Sequence, residues 1–407
     1  MKKLENNLSL DQTQYLLGPR AIRDRAAVLY KLVEDGGGQF SINLSKLPEV
    51  GDLVIDVIKN NYPDLEIPYH SRWNHFSAGG IDRVLEFEKL IKKNDAKEQI
   101  RQKIDLVVTS VLLDAGAGAK WKYFEGPEKL EYCRSEGLAV ASYHMFLAST
   151  FGEGLTATGK QLSKITPLDI AEAFQVSDDN PLAGLEGRAH LIQKLGTCLL
   201  EQEHYFPGAR PGNMIDFLEA EHGLEISASQ ILEVVLKGFG GIWPGRFNSN
   251  GLNLGDCWHH PLLGESVVFE SLIPFHKLSQ WLCYSLIGPI RDAGFTVSEV
   301  DLLTGLPEYR NGGLLIDSGL IEVKDKSLLG QSHSPGSPLI VEWRALTIHL
   351  LDIIGDYVRE KLGKPVEEFP LVKILEGGTW WAGRKLAADL RHEGEPPLKI
   401  KSDGTVF

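Results

Sequence analysis

Cysteine is scarce and scattered. The 407 residues hold four, Cys133, Cys198, Cys257 and Cys283, and no two stand at C-x-x-C spacing. That excludes a disulfide framework and a structural zinc fold, and it fits thiols kept in a reducing, cytoplasmic setting. Long apolar runs are missing as well. No stretch of about 18 apolar residues occurs, so no membrane partner is expected. The opening, Met1-Lys2-Lys3-Leu4-Glu5-Asn6-Asn7, lacks the apolar centre of a signal peptide. Positive charge is in deficit, with 42 Lys and Arg against 55 Asp and Glu and a formal net charge of −13. Such a chain repels a phosphate backbone, which argues against a nucleic-acid partner. The basic residues that remain suffice for one pocket holding a small anion. There is no internal repeat, no low-complexity stretch and no Pro/Gly/Ser linker to divide the chain.

What is present is helical periodicity. Apolar residues recur at helical spacing over 80–93, 228–238 and 275–287. The longest candidate, 341–361, is opened by Pro338 and ends near Gly363. Strand signals are few. Residues 314–316 and 320–323, flanking Asp317-Ser318-Gly319, read as one short β-hairpin. Residues 325–340 read as loop, and the stretch from Glu395-Pro396-Pro397 to Ser402-Asp403-Gly404 as extended or turn-like. The expectation is a mainly α fold, a single α-rich unit over 1–407, with a short β-hairpin.

Chemistry-bearing residues gather in a few segments. Ser71, Arg72, Trp73, His75 and Phe76 precede Gly79-Gly80 and a helix, which suits a ligand wall or a helix entrance capped by Ser77. Asp114 opens a small-residue run, 114–118, followed by Trp121; it permits close approach of a ligand or a helix. Arg246 follows Trp243-Pro244-Gly245. Asp256 and His259, with His260, carry metal-capable atoms, but no third helix-borne His or Cys pair completes a site, so substrate hydrogen bonding is favoured over metal. Lys277 and Gln280 are three apart and share a helix face, while Leu278, Trp281 and Leu282 point elsewhere. Glu308, Tyr309 and Arg310 stand in what reads as a turn before a strand. Glu342 and Arg344 are two apart on the longest helix, so each needs its own partner. Arg384 follows Glu376-Gly377-Gly378, which reads either as a phosphate-holding helix start or as a loop locking the C-terminal part onto the core.

In order along the chain stand HSRWNHF at 70–76, VLLDAGAGAKW at 111–121, RSEGLAVAS at 134–142, NPLAGLEGR at 180–188, IWPGR at 242–246, GDCWHH at 255–260, PFHKLSQWL at 274–282, LTGLPEYRNGG at 303–313 and SDGTVF at 402–407. On these words the chain resembles the uracil catabolism protein 4 family over nearly its whole length. That resemblance implies a place in a uracil breakdown route passing through ribosylurea. A second likeness rests on three short motifs: Lys277-Leu278-Ser279-Gln280, Pro307-Glu308-Tyr309-Arg310 and Glu342-Trp343-Arg344-Ala345. They are similar in order and rough spacing to the Lys-Arg-Ala-Gln, Ala-Asp-Tyr-Arg and Glu-Ile-Arg-Ala motifs of queuosine nucleotide N-glycosylases. Those are N-ribosyl hydrolases related in fold to helix–hairpin–helix DNA glycosylases, and their Lys and Asp belong to the active site. The likeness implies that role for Lys277 and Glu308, with Glu one methylene longer than Asp.

The reading that follows is an N-ribosyl hydrolase needing no cofactor and no metal. Its partner is a small ribosyl substrate, ribosylurea or its 5′-phosphate. Glu308 would face the cationic sugar, and Lys277 would hold Glu308 ionised or meet the leaving group. Tyr309, Trp73 and Phe76 would position the substrate, and Arg72, Arg246 or Arg384 would take a phosphate. A uracil phosphoribosyltransferase and a non-catalytic partner of the ring-opening enzyme are the alternatives.

Overall fold

The first half of the Pro338–Leu362 helix is buried all round. Every residue from Leu339 to Thr347, charged Glu342 and Arg344 included, is shielded from solvent. A helical stretch without a polar face belongs at the centre of a fold. In this computed structural model, which describes Leu4 and residues 7–118 and 120–401, the helix packs against Pro19–Glu34, Leu47–Asn61 and Tyr309–Asp317. Pro338 opens it, where its missing N–H costs nothing, and Gly363 closes it in the left-handed region at φ 64°. A second buried helix, Lys277–Asp292, packs on Ala96–Leu112 and Ala228–Gly238. The fold is mainly α, with one main hydrophobic core extending from Leu8 to Leu398.

The periodic segments form the expected helices: Arg83–Ile91, Ala228–Gly238, Lys277–Asp292 and Pro338–Leu362. The strands are short, and among the described residues each sheet has only two. Lys122–Glu125 pairs antiparallel with Leu130–Cys133 as a hairpin. Cys257–His259 pairs with Leu272–Pro274, and Ser332–His333 pairs in parallel with Lys399–Ile400.

Four local expectations need correction. The hairpin over 314–323 does not form. Leu314, Leu315 and Ile316 lie in the Tyr309–Asp317 helix, which Glu308 caps. Ile321–Val323 is a strand, but it pairs with Phe40–Ile42, in register Phe40↔Val323 and Ile42↔Ile321. A short apolar run fits either element, and the capping carboxylate decides for helix. Glu308 accordingly precedes a helix, not a strand. The Arg83–Ile91 helix is capped by Asp82, which accepts from the Leu85 N–H at 2.9 Å, rather than by Ser77. Gly377 and Gly378 lie inside a π-helical turn, Leu375–Thr379, where a Cβ would strike Ile67 at one position and Val54 at the other. They serve packing, not phosphate binding. The turn expected at Ser402-Asp403-Gly404, and the closing SDGTVF motif, lie outside the described residues.

The Tyr309–Asp317 helix lies close against Trp380–Leu390. A Cβ at Gly383 would overlap the backbone carbonyl of Arg310. Overpacking against backbone costs about 1–3 kcal/mol, because neither helix yields freely. Gly383→Ala is therefore expected to lower unfolding stability by about that amount in denaturant titration. An unchanged midpoint would contradict this close approach.

Candidate active site

A cavity of about 450 Å³ opens between the Lys277 helix, the Glu308 cap, the 114–118 loop and the start of the Arg134–Leu147 helix. Its lining includes Lys277, Glu308, Asp114, His70, His75 and Trp281, and the segment from Gly394 to Ile400 contributes to its wall. That volume suits a molecule of nucleoside size.

Glu308 is held from below. Its Oε2 accepts the Arg310 N–H at 2.7 Å and its Oε1 the Asn311 N–H at 2.5 Å. Two backbone amides at a helix N-terminus fix the carboxylate and favour its anion. Each oxygen keeps further lone-pair capacity for a ligand. Burial nonetheless raises its pKa, against the pull of those amides, Lys277 and His70. Lys277 opens its own helix. Burial lowers its pKa, and attraction to Glu308 opposes that only in part. The acid is pushed up and the base down because both lose water, so each charge depends on the other. Asp114 follows the same rule: burial raises it, while Arg72, Lys277 and Arg188 hold it down.

Lys277 is positioned by a buried ion pair. Arg344 grips Asp256 with both terminal nitrogens, at 2.8 and 2.7 Å, and stacks over Phe275. The same carboxylate accepts the Trp258 indole N–H at 2.6 Å and the backbone N–H of Lys277 at 3.1 Å. Asp256, just before the Cys257–His259 strand, thus holds the first N–H of the Lys277 helix. Burial pushes its acidity toward neutral, but the guanidinium fork and the other donors win and bring its pKa down to about 2. Gln280 fastens the helix to the chain leading into Glu308. It exchanges hydrogen bonds with Thr304, whose N–H donates to its Oε1 at 2.8 Å.

Several expected wall residues stand behind the wall instead. Arg72 is fully buried. It donates to the carbonyls of Ser110 and Ser135 at 3.0 Å, lies 3.4 Å from Asp114 and stacks under Trp281. Ser71 precedes the short Arg72–Phe76 helix, and Trp73 donates its indole N–H to Ser285 O at 2.8 Å. Phe76 packs in the core, and Trp121 donates to Phe174 O. Arg246 stacks over Trp258, away from the cavity. His259 bonds Gly264 O and His260 bonds Pro338 O, so neither converges with Asp256. Glu342 accepts the N–H groups of Gln39 and Phe40, tying that strand to the central helix; burial lifts its pKa to about 7. Gln280 and Arg344 are likewise supports.

Of the expected site residues, Lys277, Glu308, Tyr309, Arg310, Asp114, His75 and Arg384 do line the cavity. Arg384 pairs with Glu136 at 2.7 Å and stacks on Trp380. Trp281 lines it too, contrary to the expectation that it points elsewhere. His70, in the segment expected to form a ligand wall, lines it as well, and sequence reasoning missed Arg134, Glu136, Trp380 and Lys399 as lining residues. It also missed Arg188, whose guanidinium gathers the carbonyls of Leu113 and Gly116 and so shapes the small-residue loop. The words RSEGLAVAS and NPLAGLEGR held the signal for Arg134, Glu136 and Arg188. Among the described residues no three His, Cys, Asp or Glu side chains group as a metal site, and no helix is long and apolar enough to cross a membrane.

A family model described as Protein of unknown function (DUF1688) matches residues 15–407. The chain is 38% identical over 437 residues to Uracil catabolism protein 4 of Lachancea kluyveri, covering 97% of this chain and 98% of that one. It is 38% identical over 419 residues to Protein urg3 of Schizosaccharomyces pombe, covering 98% and 100%.

Asp256 yields a test of the scaffold. Its folded pKa of about 2 lies below the ordinary 3.8. A depressed acid adds stability that is present above the ordinary value and lost as pH falls through the folded one. The difference is worth roughly 2 kcal/mol. Asp256→Asn should lower stability at neutral pH and flatten the decline between about pH 4 and pH 2, as measured by denaturant unfolding. A variant whose acid decline matches wild type would contradict the assignment.

Proposed function

The chain belongs to the DUF1688 family, and we propose that it is an N-ribosyl hydrolase of uracil catabolism. Its substrate in this reading is ribosylurea or the 5′-phosphate, released as urea and ribose or ribose 5-phosphate. The observation that carries the reading is the pairing of Glu308 and Lys277 on one cavity, each at a helix N-terminus and each partly buried. Support comes from the name of the relative from Lachancea kluyveri, which gives uracil catabolism, and from the three short motifs similar to queuosine nucleotide glycosylases.

Breaking an N-ribosyl bond builds positive charge at the anomeric carbon. A carboxylate aimed by two backbone amides meets that charge without reorganising. Glu308 takes this part and receives a proton from the attacking water. Lys277 holds Glu308 as the anion in a site where burial would otherwise neutralise it. Asp114, beside a glycine-rich loop that lets a sugar approach closely, accepts from ribose hydroxyls. For a phosphorylated substrate the arginines at hand are Arg384, Arg134 and Arg310, since Arg72 and Arg246 stand outside the lining.

Purified protein is expected to release urea from one or both forms of ribosylurea. Lys277→Ala and Glu308→Gln should each reduce that rate by at least about a hundredfold while circular dichroism stays native. Folded protein that releases no urea from either compound would overturn the reading in favour of a phosphoribosyltransferase, or of a non-catalytic partner of the ring-opening enzyme. Full activity in Glu308→Gln would overturn the assignment of Glu308.

A further inference from the structure

The proposed chemistry leaves the departing nitrogen without a proton donor, and one lining residue is built for that task. His70 is buried at the cavity edge, and its Nδ1 meets Glu376 Oε2 at 2.6 Å. No described residue bonds its Nε2. Glu376 is itself buried and sits in the π-helical turn Leu375–Thr379. Such turns recur at functional sites. The turn is also tied to the other carboxylate. Thr379 donates to Asn311 Oδ1 at 2.8 Å, and the Asn311 N–H donates to Glu308. His70 and Glu308 are thus joined by hydrogen bonds at either end of the π-turn backbone, and His70 acts electrostatically on Glu308.

We propose that His70 is the general acid of this reaction and that Glu376 is the residue positioning it; the proposal rests on the N-ribosyl hydrolase reading above. A carboxylate on Nδ1 fixes the ring and stabilises the imidazolium, leaving Nε2–H for the substrate. The groups facing His70 are Glu376, Glu308 and His75. His75 does not compete for the role. Burial and then Arg72 hold it neutral, and its Nδ1 lies 3.1 Å from the Arg72 guanidinium, which makes that atom an acceptor. The step balances. The C1′–N bond breaks, its electron pair goes to the urea nitrogen, and that nitrogen takes the proton from His70 Nε2. A water oxygen bonds C1′ and passes a proton to Glu308. That proton returns to His70 through solvent, so the net change is one water consumed and one urea released.

The test uses the full chain and two substrates: the form of ribosylurea that wild type cleaves, and 4-nitrophenyl β-D-ribofuranoside, whose leaving group needs no proton. His70→Gln should lose about 10²–10⁴-fold on the urea substrate and less than about tenfold on the nitrophenyl riboside. Glu308→Gln should lose both. Glu376→Gln, which leaves the imidazole in place, should lower kcat more than it alters KM and move the high-pH limb of kcat to lower pH. Equal losses on both substrates in His70→Gln, or an unmoved limb in Glu376→Gln, would overturn the dyad while leaving hydrolysis standing. If wild type cleaves only the urea substrate, the limb alone decides in the same way. Folded wild type that cleaves no form of ribosylurea overturns the parent reading and the dyad together.

Discussion

Everything around the cavity leans on the fork between Arg344 and Asp256. It joins the central helix, the strand pair around Cys257–His259 and the start of the Lys277 helix in one buried contact. A buried ion pair adds little net stability by itself, since desolvation consumes most of the attraction. Removing one partner is another matter, and strands a charge at a cost of about 3–5 kcal/mol. The pair is therefore better understood as a constraint on placement. It directs Lys277 into the cavity, and Gln280 and Thr304 transmit that placement to the chain that ends in Glu308.

The cavity is a place where charges are kept only by one another. Lys277 is drawn down, and Glu308 and Asp114 are drawn up, all chiefly by burial. Groups so perturbed and convergent mark a reaction centre more often than a packing accident. Behind them stands a layer with no access to ligand: Arg72 under Trp281, Arg188 under the 114–118 loop and Asn311 between Glu308 and Thr379. Each of these polar groups ties down backbone or side chains that face the cavity.

Much of the helical skeleton was legible. Residues 228–238 carry their apolar face at the right spacing, and Pro338 and Gly363 bracket the central helix chemically. Residues 314–316 were not, because three apolar residues fit a strand as well as a helix until Glu308 is known to cap them. The partner of Ile321–Val323 is Phe40–Ile42, and no local signal reports a pairing across such a span. For the site, the polar segments could be recognised as costly and therefore purposeful, but not sorted. Arg72, Asp256 and Arg344 look like ligand groups in sequence and prove to be supports, because their partners lie on elements far along the chain. His70 stood in the expected ligand wall but received no role of its own, because Glu376, which gives its ring a direction, is 306 residues away.

The central claim is that a ribosyl carbon reacts against Glu308. The most direct measurement is a crystal structure of Glu308→Gln soaked with ribosylurea. The account predicts the sugar in the 450 Å³ cavity, with its anomeric carbon facing residue 308 and its hydroxyls near Asp114. A ligand bound elsewhere, or turned so that its anomeric carbon faces away from residue 308, would contradict it.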